Sequence, residues 1–147
     1  MSYLPLADAV REGDDKQRYL KIVAQHQLVG AANNTKWNKL ITFMRDKEGW
    51  TPEWKFQGID NSSWGWDSEW NYHLPFPFIS VKWFDINPIE EVHRGKLLNP
   101  EIIDHSDWII ELLEEIGFFI EVTKHKVIRI WGYTPVSLKR FNDSIEN

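Results

Sequence analysis

Between residues 66 and 74 apolar and polar positions alternate. Trp66, Trp70, Tyr72 and Leu74 fall on one side, with Ser68 among them, and Asp67, Glu69, Asn71 and His73 on the other. A period of two predicts a half-buried strand, since a slip of one residue would turn three aromatics into water. Residues 54–59 predict a strand before it, and Asp60-Asn61-Ser62-Ser63 a turn. Pro75 and Pro77 break the pattern afterwards, because neither can donate to a central ladder. Residues 78–86 predict a third strand, ended by Asn87-Pro88. The three read as an antiparallel meander with residues 66–74 in its middle.

Helical periods flank this centre. Residues 2–13 predict a short helix with Pro5 near its start and Gly13 as its stop. Asp14 opens a second, with Gln17 in capping-box position; Leu20, Val23, Ala24 and Leu28 form its stripe and Gly30 its end. A third begins at Asn34 or Thr35 and buries Trp37, Leu40, Ile41 and Met44, the spacing of a helix laid on a core. Residues 89–98 are charged and without period. Asn99-Pro100 has the form of an N-cap and first helical position, and Asp104 or Ser106 offers a later start. That helix runs to Ile116, burying Ile109, Leu112, Leu113 and Ile116 before Gly117 terminates it. Residues 118–123 and 126–133 predict a hairpin turning at Lys124-His125, and the polar tail from Pro135 is expected to fray. The sum is an α+β fold: a mostly antiparallel five-stranded sheet, β-β-β-α-β-β along the chain, with N-terminal helices packed on it. Residues 1–32 form an N-terminal helical extension and residues 33–147 a single α+β domain.

Charge narrows the partner. The 147 residues carry a net −5, unevenly placed. Residues 60–121 hold 13 acids against Lys82, Arg94 and Lys96, a balance of −10, while the remainder has 14 basic and 9 acidic residues. Such a middle repels phosphates, so no nucleic acid is expected as a partner. It suits a basic protein, and equally a solvated surface that maintains solubility. The absence of cysteine excludes a disulfide scaffold, a thiolate metal site and a cysteine nucleophile. Neither a signal-peptide pattern near Met1 nor an apolar window of about 20 residues is present, so the expected place is the cytoplasm, with no membrane partner.

Candidate chemistry is sparse. Asp67, Glu69 and His73 share one face of the predicted strand, and such a row can serve acid–base chemistry or hold a metal. No second histidine stands in ligand spacing, and two-residue spacing of polar side chains is what any solvated strand face shows; no metal and no cofactor are expected. Glycine-rich phosphate loops and nucleophile-elbow patterns around Ser62, Ser63 or Ser68 are absent. Of the nine tryptophans, Trp37, Trp70 and Trp108 fall on predicted core faces. Trp64, Trp66 and Trp83 stand among acids and suit the anchors of a protein interface or a sugar-stacking site, with core packing as the alternative.

The segment Asn34-Thr35-Lys36-Trp37-Asn38, the run Trp66-Asp67-x-Glu69-Trp70-x-Tyr72-His73, the Val81-Lys82-Trp83 strand and Ile128-Arg129-Ile130-Trp131-Gly132-Tyr133 together resemble a family of small tryptophan-rich bacterial proteins of unknown function. Its members look like immunity proteins that accompany secreted antibacterial toxins. The likeness spans residues 33–133 and carries over no catalytic residue. It implies an immunity-type protein, not an enzyme, that binds and neutralises a cognate, basic toxin protein through an acidic, Trp-bearing surface. The contacts expected on that surface are Asp60, Trp64, Asp67, Glu69, His73, Asp85, Glu90 and Glu91. The alternative is a small-ligand-binding domain or an enzyme with a pocket near His73 and Asp67 or Glu69 as base.

Overall fold

A computed structural model describes residues 3–139. It is an α+β fold: a five-stranded antiparallel sheet, a separate two-stranded ribbon, and helices packed on the sheet. In chain order the elements are α1 (Lys16–Gln25), α2 (Asn34–Asp46), β1 (Glu53–Gly58), β2 (Ser63–Asp67), β3 (Val81–Asn87), β4 (Ile89–Val92), β5 (Glu101–Asp104), α3 (Ser106–Ile116), β6 (Ile120–Val122) and β7 (Ile128–Trp131). A single 3₁₀ turn, Phe78–Ser80, leads into β3, and residues 135–139 are helical.

The strands lie in the order β2-β1-β3-β7-β6. The expected meander with its second strand in the middle is therefore corrected. β1 is inside, paired with β2 on one side and β3 on the other, and β2 is an edge. Inward residues of the three inner strands (Trp54, Phe56, Phe84, Ile86, Ile128 and Ile130) meet the buried stripes of α2 and α3 in one core. The α2 face is the one its period predicts, with Trp37, Leu40, Ile41 and Met44 all buried. Trp37 touches Phe78, Phe84 and Phe118 at ring-centroid distances of 5.0, 5.9 and 5.0 Å. In α3, Ile109 and Leu113 are buried while Leu112 and Ile116 are only half-buried.

The largest departure is residues 66–74. Ladder pairing stops at Asp67, and Trp66 and Tyr72 are exposed while Trp70 and Leu74 are buried. The backbone carbonyls that a strand would offer its neighbour are taken by side chains from elsewhere. Trp54 Nε1 donates to Glu69 O, Arg45 to Trp70 O and Asn71 O, and Arg11 to His73 O and Leu74 O. Trp70 turns inward because its indole N–H finds an acceptor in Pro52 O at 3.0 Å. A buried carbonyl must be bonded, but not to another strand.

Other expectations are amended at the ends of elements. Residues 3–13 make turns rather than a first helix. Asp15, not Asp14, caps α1, accepting from the Gln17 N–H at 2.9 Å. The buried side of α1 is Tyr19 with Ile22 and Val23, one position off the predicted stripe, so Leu20 and Ala24 face water. Residues 89–98 are not without structure, because β4 pairs with β5, and the predicted helix start at Asn99-Pro100 gives way to β5 and then Ser106. This ribbon is tied down by His105. Its ring stacks on Trp50 at 4.1 Å, its Nδ1 accepts from Trp108 Nε1 at 2.8 Å, and its Nε2 thereby carries the proton toward Glu90 at 2.8 Å. The tail expected to fray from Pro135 buries Ser137 and Leu138; residues 140–147 of that tail lie outside the described residues. Leu138 joins Tyr19, Leu28, Ile59 and Tyr133 in a second, smaller core against α1.

Candidate functional site

Helices α2 and α3 cover one face of the sheet; strand residues furnish the other, where Trp131 packs against the cluster that contains α1. Since side chains alternate along a strand, burial of Trp54, Phe56, Phe84, Ile86, Ile128 and Ile130 sends Lys55, Asp85 and Arg129 to the opposite face. Register then aligns them. Lys55 is opposite Asp85, Asp85 opposite Arg129, and Arg129 opposite Glu121, so charges of alternating sign cross four strands in one row. At the β2 end Trp66 completes it, with Lys55 Nζ 4.7 Å from its ring centroid. A second row runs Ser63, Gln57, Trp83, Trp131.

Between the rows Arg129 is a hub. Its Nε and Nη donate to the two oxygens of Asp85 at 2.9 and 3.1 Å, and its guanidinium lies 4.3 Å from the Trp83 centroid and 5.7 Å from that of Trp131. A polar hollow of about 410 Å³ opens here between Lys55, Gln57, Trp64, Trp83, Asp85 and Arg129. Lined by fixed donors, an aromatic wall and a carboxylate already bonded, it can receive a charged or amide-bearing side chain of a partner. Trp66 stands 40 % exposed at the edge.

The eight residues expected as contacts are not gathered into one patch. Asp85 is on this face but buried, paired with the more exposed Arg129. Trp64 is also 40 % exposed and borders the hollow, with its ring edge-on to Phe56 at 4.7 Å and the Arg11 guanidinium 4.8 Å from it. Asp60 closes the β1–β2 turn, accepting from Ser62 Oγ, the Ser62 N–H and Arg18. Glu90 is bonded to His105, and Glu91 is exposed beside it on the ribbon.

Asp67, Glu69 and His73 do come together, at the last residue of β2 and in the loop after it. His73 Nδ1 is 2.8 Å from Asp67 and its Nε2 3.6 Å from Glu69. Asp67 also accepts from the Glu69 N–H, and Glu69 from the N–H groups of Asn71 and Tyr72. Partial burial pushes the Asp67 carboxyl up, but the Glu69 N–H and the His73 ring together hold it below the ordinary carboxylate range. A carboxylate so held is a weak base, and none of the three side chains lines the sheet-face hollow. Among the described residues no three His, Asp or Glu side chains are arranged to hold a metal ion, and no helix is long and apolar enough to cross a membrane.

Lys55, Gln57, Arg129 and Trp131 were not among the expected contacts. Their signal is the alternation Trp54-Lys55-Phe56-Gln57 and Ile128-Arg129-Ile130-Trp131, in which every second residue is apolar and buried. What that alternation lacks is the register that joins two distant strands into one face.

Residues 19–137 match the model of DUF6678, a family of unknown function, and the chain belongs to that family. The match takes in most of α1, from residue 19 on, which precedes the segment 33–133 that carries the resemblance. No curated protein and no solved structure matches the chain.

Proposed function

We propose that this member of a family of unknown function is a non-catalytic binding protein, which captures and neutralises a basic protein partner on the face of its sheet opposite α2 and α3. The observation that carries this reading is the cross-strand row Trp66, Lys55, Asp85, Arg129, Glu121 with Trp83 beside it. Aromatic and guanidinium groups held rigidly on strands are the groups that dominate binding energy at interfaces, because little side-chain entropy is lost when they are covered. Around them the exposed carboxylates of Glu53 and Glu121 form an acidic rim. A rim of this sign speeds encounter with a basic partner and turns away nucleic acid. The finer reading, an immunity-type protein acting in the cytoplasm against an antibacterial toxin, rests on the family resemblance carried by residues 33–133.

The test is a tagged pull-down eluted over a salt gradient, followed by calorimetry with the partner recovered. Wild type should retain one stoichiometric basic protein. Trp66→Ala should weaken that binding by about 2 kcal/mol, roughly thirtyfold, with an unchanged melt, since Trp66 lies outside the core. Equal affinity of Trp66→Ala and wild type would overturn the assignment of this face. Reversing Asp67 and Glu69 to lysine is the poorer test, because both carboxylates hold their own loop.

A further inference from the structure

A second hollow, of about 330 Å³, lies between α1, the entry to α2 and the end of β7. It shares no lining residue with the sheet-face hollow. Its floor is apolar and rigid: Leu28, Trp37, Phe78 and Tyr133 are each 7 % exposed or less. Tyr133 offers only its ring, because its hydroxyl donates to Ile79 O at 2.5 Å. At the mouth are Lys16 and the amides of Asn33 and Asn34, all exposed.

Two features mark the mouth as more than a packing gap. Lys16 occupies the first position of α1, where the helix dipole disfavours a cation. It takes part in no ion pair among the described residues. Its charge is therefore uncompensated at the mouth of the hollow. Gly30, at the rim, has an ordinary φ, and a Cβ built there would meet nothing within 4 Å. A side chain at position 30 would fit the backbone and enter open space at the rim of the hollow.

We propose that this hollow binds a small amphipathic monoanion, an aliphatic or aromatic carboxylic acid whose apolar body lies on Trp37 and Phe78 and whose carboxylate meets Lys16. An apolar floor with one cation and two amides at the lip selects that chemistry. A neutral molecule leaves Lys16 without a partner, and a cation is repelled by it. The volume is at the small end of ligand sites, so the body is a single ring or a medium-length chain.

The test titrates the folded full chain with octanoate, octan-1-ol and octylamine by calorimetry, with tryptophan fluorescence as a second readout because Trp37 lines the floor. Octanoate should bind one-to-one and about tenfold or more tighter than octan-1-ol, with no saturable binding of octylamine. Lys16→Glu should erase the preference for octanoate, and Gly30→Phe should abolish binding of both octanoate and octan-1-ol with the melt retained. Lys16→Glu lies on the surface and keeps the head-group assignment testable even if Gly30→Phe does not fold. Absence of saturable octanoate binding to wild type, equal affinity for acid and alcohol, or full affinity in folded Gly30→Phe would each overturn the proposal.

Discussion

Arg129 grips Asp85 with two parallel hydrogen bonds across the β3–β7 ladder while its guanidinium lies over Trp83. Asp85 is 2 % exposed and Arg129 25 %. Removing the carboxylate leaves a cation held against aromatic rings with two donors unmet. Asp85→Ala should cost about 2–4 kcal/mol in urea unfolding, less than for a wholly buried pair because water reaches part of Arg129. The double variant Asp85→Ala, Arg129→Ala should be less destabilised than the sum of the singles by about 1 kcal/mol or more. Strict additivity would show that the pair contributes nothing as a pair.

Gly132 is a tight backbone position beside the molecule's second core. A Cβ there would lie 2.0 Å from Val81 O, and the residue also donates to Lys82 O and accepts from the Ala31 and Ala32 N–H groups. Gly132→Ala should lower stability by about 3 kcal/mol or more, because the obstacle is backbone and cannot rotate away. Gly65→Ala, where a Cβ meets nothing within 4 Å, should stay within about 0.5 kcal/mol of wild type. Thermal melts of the two variants side by side decide the matter.

Asp60 and Asp14 bracket Arg18, at 3.0 and 2.8 Å. Burial alone pushes the Asp60 carboxyl up, but the Ser62 hydroxyl and N–H and the Arg18 guanidinium together hold it below the ordinary range. A carboxylate depressed in the folded state contributes stability that is complete above its unfolded value, about pH 4, and is lost as pH falls through the folded value. Wild type should therefore lose more stability than Asp60→Asn on going from neutral pH to below about pH 3, by about 1 kcal/mol, since Arg18 is half exposed and screened. Acid titrations of the two proteins, followed by circular dichroism, that run parallel throughout would sink this account of the turn.

Several elements are legible in the linear chain. Trp37, Leu40, Ile41 and Met44 announce the buried face of α2, Gly117 the end of α3, and the alternations in residues 54–59 and 126–133 two strands of the sheet. In each case a neighbour three, four or two residues away carries the information, so the period survives in one dimension. The α1 stripe is ambiguous by the same measure, because Leu20 and Ala24 complete the same spacing one step round the helix from Tyr19 and Val23. The ribbon β4–β5 leaves no such mark, since Glu90 beside Glu91 and Ile102 beside Ile103 break any alternation.

Residues 66–74 show where local pattern ceases to decide. Their alternation is real, yet Arg45, Arg11 and Trp54 bind the carbonyls that a ladder would have used, and those groups arrive from 15 to 63 residues away. The same holds for the proposed interface. Each strand by itself announces that Lys55, Asp85 or Arg129 points away from the core, and the acidic, tryptophan-rich composition suggests a binding surface. Only the pairing of β1 with β3 and of β3 with β7 aligns the three into one row beside Trp66 and Trp83, and only the meeting of α1 with the β7 end encloses the hollow at Lys16. Alternation is a property of neighbours along the chain, whereas a site is a property of neighbours in space, and register and packing turn one into the other.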